Sequence, residues 1–478
     1  MHHRSRSSFG GLILLVAALS LAPFASASGI GQRFPSEKKI VPDPVTGVPL
    51  TFLTSTPAGD SKIYQTHPQW TADGRWVIFR SNRVRGQAFA VNEETGAIVQ
   101  VTESGYMQML CVARRSMKLY IMRNLGGDTG GAPGASTGPG AAAAATQPPG
   151  APAGAPGAGG GRGRPRGPFQ IVEIDLARLF ADSEAGAMRP AAEYERICGT
   201  TPSGMMADGN MGLDANEDFI YFRVSGEEVG KHLPPGTKIE EAFGPRHMGA
   251  GPTGLASMNL KSGEVKTIVA VPFQIGHVQT NPWVPGEIVF CWETSGKAPQ
   301  RTWTVMADGT GLRPLYPEAP YEWITHEAVI TKDEVAIAIM GHREPGANDA
   351  WGIAGTREHP TGLGIVNLRT REMRIVGQTP SGSGLWHVNG SPDGRWAVGD
   401  DFSRSIYLID RRTSEMIMLS TGHKPTAADH PHPTFSADST KIEIESAMLS
   451  TDDRSMNICI IPVPQSWLAR TYSAKIAP

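Results

Sequence analysis

Charge is scarce in this chain and nearly balanced. Asp, Glu, Lys and Arg make up 19% of it, with 44 basic residues against 46 acidic. No basic stripe and no nucleic-acid motif stands out, so nucleic acid is excluded as a partner. Cysteine is rarer still: Cys111, Cys198, Cys291 and Cys459 are widely spaced, with no CxxC pair. Four cysteines allow three pairings, and spacing does not choose among them. Each stands beside apolar residues in an expected strand, as in Val289-Phe-Cys-Trp292, so we expect buried free thiols. No apolar run beyond the N-terminus is a candidate membrane span.

The N-terminus reads as an export signal. Arg4 and Arg6 supply a basic start, Leu12 to Ala18 an apolar core, and Ala25-Ser-Ala27 a small-residue cleavage site. Residues 1–27 are therefore expected to leave, giving a periplasmic or secreted protein without stable membrane insertion. An uncleaved anchor is the other reading of the same residues.

A short phrase recurs along the rest of the chain. His67-Pro-Gln-Trp-Thr-Ala-Asp73-Gly, His387-Val-Asn-Gly-Ser-Pro-Asp393-Gly and His432-Pro-Thr-Phe-Ser-Ala-Asp438 each place a His six residues before an Asp turn. An apolar strand follows each turn, and looser copies start at His277 and His326. Three or four short strands per unit, at a period of about 40 to 50 residues, indicate a propeller blade. Seven units begin near His67, Met107, Asn210, His277, His326, His387 and His432. The grammar predicts an inner strand just after each Asp turn. The fold expected is all-β: one seven-bladed β-propeller over residues 28–478. Val45 to Leu53 resembles the end of a blade without its beginning, and is expected to close the last blade.

Residues 126–167 are almost wholly Gly, Ala and Pro and end in an Arg-rich run. They have too little apolar bulk to pack and are expected to be a disordered insertion within the second blade. Two further long loops, Ser225 to Pro252 and His342 to Pro360, are placed to cover a channel mouth.

Histidine carries the chemistry. In His430-Pro-His432 the two imidazoles face one side of an extended strand and reach one ion. His326, at the start of another unit, can meet them on the ring's axis. Imidazole ligands suit Mn, Fe, Co, Ni or Zn, and spacing does not choose among them. The plainer reading is that such histidines only bond within or between blades. His67 and His387 divide evenly between that role and lining the channel.

The ordered phrases from Gly276-His277 through Glu322-Trp-Ile-Thr-His-Glu327 and Ser391-Pro-Asp-Gly394 to His430-Pro-His-Pro-Thr-Phe435 resemble the oligogalacturonate lyases. The N-terminal third matches less distinctly, mainly in His67-Pro-Gln-Trp70. The resemblance implies a seven-bladed propeller with a divalent metal, manganese above all, held by His326, His430 and His432. It implies β-elimination on a uronate-containing, acidic oligosaccharide. Two positions depart from it. Ala427 stands where the family has a ligand Gln, a place water or Asp429 can fill. Gly254-Leu-Ala-Ser-Met258 lacks the family's catalytic Arg, which leaves Arg246 or His247 as its substitute. His277 is then expected to assist catalysis with Arg246 or merely to pack, and His67, Arg80, Arg301 and His387 to bind substrate, with surface or inter-blade ion pairs the other reading for Arg80 and Arg301. The alternative from another class is a non-catalytic periplasmic propeller resembling TolB that binds a protein or glycan.

Overall fold

The computed structural model describes residues 29–125, 168–244, 247–294, 297–319, 322–342, 361–378 and 384–472. The expected signal segment, the insertion at 126–167, Arg246 and the whole of 343–360 lie outside them. Among the described residues, no helix is long and apolar enough to cross a membrane.

The strands form seven antiparallel sheets, each built mainly from consecutive strands. These are the blades of a β-propeller. Neighbouring blades meet through their first strands, such as Met206–Leu213 with Ile275–Thr280 and Glu322–Thr331 with His387–Gly390. Those first strands therefore line the axis. This corrects the expected grammar. The strand after each Asp turn (Trp76–Ser81, Trp396–Asp400 or Lys441–Ser446) is second from the axis. The innermost strand precedes the turn; it carries the histidine at His387, while His67 and His432 stand just outside theirs. Apolar alternation marked the better-packed second strand, because the first is short and lined with polar groups.

The ring closes as expected, with one strand more. Pro49–Phe52 pairs with Asn457–Pro462, and Lys39–Pro42 pairs outside it. Leu50 and Phe52 are fully buried against Trp396, Ile444 and Cys459. Burying two such side chains contributes about 1.5–3 kcal/mol each, enough to latch the two ends of the chain. The N-terminal segment also adds Arg33–Phe34 to the first blade, beside Ile98–Gln100.

In the second blade, Lys118–Asn124 and Phe169–Asp175 pair in continuous register, so residues 126–167 join two neighbouring strands of one sheet. A helix that the strand pattern did not announce, Leu176–Ala185, follows. Asp175 caps its start, and Gly186 ends it in the left-handed region at φ 66°. Its buried residues Leu176, Leu179, Phe180 and Ser183 follow helical spacing, and Phe180 stacks on Trp76 at 4.1 Å. All four cysteines are free and buried.

Candidate metal centre

Three first strands and the irregular segment before Thr434–Phe435 bring five imidazoles together on the axis; His430 and His432 lie in that segment and not on the extended strand expected of them. His387 is the hub: its ring lies 3.8 Å from that of His432, 4.2 Å from His326 and 5.3 Å from His430. His277 joins through His326, at 5.8 Å. Tyr64, from the first blade, touches the rings of His277, His326, His387 and His432 and so plugs the axis.

Local backbone explains the convergence. His277, His326 and His432 all take positive φ, at 47°, 48° and 50°. Non-glycine residues seldom adopt that region, and strain of this kind persists where the surroundings impose it. Strand register slips beside two of them, between Gly276 and Gln279 and between Thr325 and Ala328. Such bulges re-aim a side chain. Here they turn imidazoles toward the axis from strands whose alternation alone does not specify it.

Every imidazole of the cluster is tethered through Nδ1. His277 meets Glu327 at 2.7 Å, His326 meets the Tyr64 hydroxyl at 2.6 Å, and His432 meets Glu445 at 3.0 Å. Asp400 holds two at once, His430 at 2.8 Å and His387 at 3.2 Å. A carboxylate on Nδ1 fixes the N–H there and leaves Nε2 as a free lone pair. The Nε2 atoms of His277, His387 and His432 are buried and have no hydrogen-bond partner. Buried polar atoms rarely stay unpartnered, so these three call for a ligand.

Charge makes the same demand. Glu293, Glu327, Asp400, Asp429 and Glu445 are all buried around the cluster. The buried cations that face them are Arg301, Lys62 and Arg404. Burial pulls Lys62 down to about 8, although Glu443 and Glu445 oppose it. Burial would raise Glu327, but His277 and Arg301 outweigh it and hold the carboxyl at about 2. Burial and the neighbouring imidazoles keep His326 and His387 well below the ordinary histidine value, hence neutral. His432 is raised: Asp429 and Glu445 overcome its burial. The neutral imidazoles of His326 and His387, beside excess carboxylate, suit a divalent cation, which would displace the proton that those carboxylates favour on His432.

Three groups of side chains have ligand atoms within 4.8 Å of one another: His387, Asp400 and His430; Asp429, His432 and Glu445; His277, Cys291 and Glu293. The donors fit a metal. The resemblance assigns it to His326, His430 and His432; here His430 and His432 fall in different groups and His326 in none of the three, so His387, at the hub, lies between the expected ligands. Asp429, whose Oδ1 lies 3.9 Å from His432 Nε2, offers an oxygen near the place of the absent Gln. Ala427 instead packs with Ala447 and Met456.

The other expected site residues fall in different places. His387 stands inside the cluster rather than beside it. Arg301 is buried and committed to Glu327 at 3.3 Å and Glu293 at 4.0 Å, so it supports the site's charge and is not free to grip a substrate carboxylate. Arg80 donates to the Gln108 and Lys62 carbonyls and stitches the first two blades together. His67 has both nitrogens engaged, with Thr66 Oγ1 and the Met211 carbonyl each at 2.7 Å, and so lies outside the imidazole cluster. His247 is exposed. Asp400, Glu445 and Tyr64 were not singled out from sequence. Asp400 had a signal, because it ends the strand after the turn that His387 precedes.

At the mouth, Trp386 packs on His326 at 4.5 Å and on Phe402 at 5.3 Å. Phe402 is 40% exposed and lies 6.3 Å from His430. Of the five imidazoles, His430 keeps the most accessible edge.

No family model and no curated protein matches this sequence. Solved structures do match. An oligogalacturonate lyase in complex with manganese superposes with a TM-score of 0.64 and 17% identity, over 92% of this chain and 100% of that one. An oligogalacturonate lyase from Vibrio parahaemolyticus gives 0.61 and 17% identity, with the same coverage. At that identity the likeness shows the fold.

Proposed function

We propose that this chain is an exported, metal-dependent lyase that cleaves uronate-containing oligosaccharides by β-elimination. The observation that carries this reading is the uniform Nδ1 tethering of five converging imidazoles. A merely structural histidine uses both nitrogens, as His67 does. The likeness to solved lyases supports the class of reaction.

A divalent cation bound here, manganese being the expectation, would neutralise a uronate carboxylate and favour the charge that develops next to it. The protein's own groups do the rest. Substrate enters past His430, with Phe402 and Trp386 offering an apolar face to a sugar ring. His277 Nε2, with no hydrogen bond of its own, 3.4 Å from Glu293 and backed through Nδ1 by ionised Glu327, takes the proton at C5, next to the carboxylate. The electron pair left at C5 forms the C4–C5 double bond as the C4–O bond breaks; the leaving oxygen takes a proton from water, and His277 passes the C5 proton back to solvent. Arg301 keeps Glu327 ionised and thereby holds His277 in the required tautomer. Arg246 remains a candidate partner for His277 in this step.

The test is to incubate the purified protein and manganese with pectic and other uronate oligosaccharides. A rise in ultraviolet absorbance from the 4,5-unsaturated end is expected. No rise with any of them rejects the lyase. Export is tested by the mature N-terminus, expected near Ser28.

A further inference from the structure

Below the Tyr64 plug the channel opens into a second cavity, of about 210 Å³. Its wall comes from six blades and includes the Asp-turn residues of three of them. One water needs only about 10–15 Å³, so the space holds several waters or a small organic molecule. None of the five clustered imidazoles lines it.

Three features of its wall ask for a partner. Gln65 is 1% exposed, and neither atom of its amide has a hydrogen bond. Gln69 donates to the His67 carbonyl at 2.7 Å, but its own oxygen has no partner. Arg114 makes no hydrogen bond or ion pair with any described residue; its guanidinium lies 5.8 Å from the centre of the Trp283 ring. Arg114 keeps exposed surface, yet surrounding atoms crowd it enough to pull it down to about 10. Both hold for a side chain that projects into a channel. The nearby acids are already committed: Asp214 to Tyr221 and the Gly286 amide, Glu217 to Ser116 and the Arg115 amide.

These groups define a ligand by its chemistry. An uncompensated guanidinium takes a carboxylate, in a pair stronger than a neutral hydrogen bond. The unpartnered acceptors of Gln65 and Gln69 are shielded from the cavity as the side chains stand; a rotation of either amide brings one to the wall, where hydroxyls supply the donors that a bare carboxylate lacks. Trp283, 37% exposed, offers an apolar face. We infer that the lower channel is a binding site for a small polyhydroxylated carboxylate, held by Arg114, Gln65, Gln69 and Trp283 and separate from the imidazole cluster. This site does not rest on the lyase reading.

Calorimetric titration of the purified chain with gluconate, and with glucose as its uncharged counterpart, tests the inference. Gluconate is expected to bind saturably, and glucose at least tenfold more weakly. Arg114→Gln should weaken gluconate at least tenfold, whereas His430→Ala, which disables only the upper site, should leave it unchanged. The inference is overturned by equal affinity for the two ligands, by unchanged binding in Arg114→Gln, by loss of binding in His430→Ala, or by no saturable binding. Should Arg114→Gln fail to fold, gluconate soaked into wild-type crystals decides. Density beside Arg114 supports the site, and density only among the imidazoles, or none, overturns it.

Discussion

His432 and His67 hold the same position in their repeats, yet one belongs to the cluster and the other to the scaffold. Both precede an Asp turn by six residues. His432 takes positive φ, anchors Nδ1 on Glu445 and leaves Nε2 bare. Around His67 the strand breaks into a turn, with its amide donating to the Tyr64 carbonyl, and both ring nitrogens find partners. Tyr64 takes the axial place in that blade. Position in the repeat therefore delivers an imidazole to the channel, and the partner of Nδ1 decides what it can do there.

The sharpest way to break this contrast is to truncate each histidine. His432→Ala should abolish stoichiometric metal binding, while His67→Ala should leave metal content unchanged and lower stability, as read by elemental analysis and thermal melting. Equal metal loss in both would end the distinction.

Tethering comes next. Asp400→Asn disturbs two imidazoles at once and should weaken metal affinity about 10–100-fold without unfolding the protein. Competition with a chelator of known affinity measures this, and unchanged affinity would make Asp400 a bystander.

The scaffold histidine has its own signature in acid. Burial, ahead of the partly offsetting Met211 hydrogen bond, lowers His67 from 6.5 to about 4. Its folded value lies below its unfolded value, so the unfolded chain binds the proton first. The stability is present above pH 6.5 and is lost as pH falls toward 4. The loss is on the order of 3 kcal/mol for this one group. Denaturant titrations across that range should show the slope in wild type and a smaller one in His67→Asn. Equal slopes would assign the acid sensitivity elsewhere; buried His423, also held near 4, adds to it in both proteins.

The smallest effect is expected at Tyr64→Phe, which removes only the hydroxyl on His326 Nδ1. Metal affinity should fall a few-fold, and stability by about 1 kcal/mol. A large loss would mean the phenol does more than orient one ring.

Much of the ring was legible because blades repeat. The seven units, the closing N-terminal segment and the crowding of histidines on the axis all follow from strand periodicity and one recurring phrase, whereas the place of His387 at the centre of that cluster did not. The carboxylates were harder to read. Asp400 and Glu445 lie on second strands, 13 residues beyond His387 and His432, and Asp400 also reaches His430, 30 residues further on in the next blade, a reach that local spacing does not mark. The positive φ at three histidines was invisible too, since it answers to packing rather than to local preference. Arg301 carried two readings, because a buried ion pair and a substrate-gripping guanidinium look alike in sequence; the ion pair is the one present.

The most direct test is anomalous diffraction at the manganese edge from crystals grown with the metal. The account predicts one strong peak bounded by the Nε2 atoms of His326, His430 and His432. A cluster with no peak, or a peak ligated elsewhere in the molecule, would contradict it.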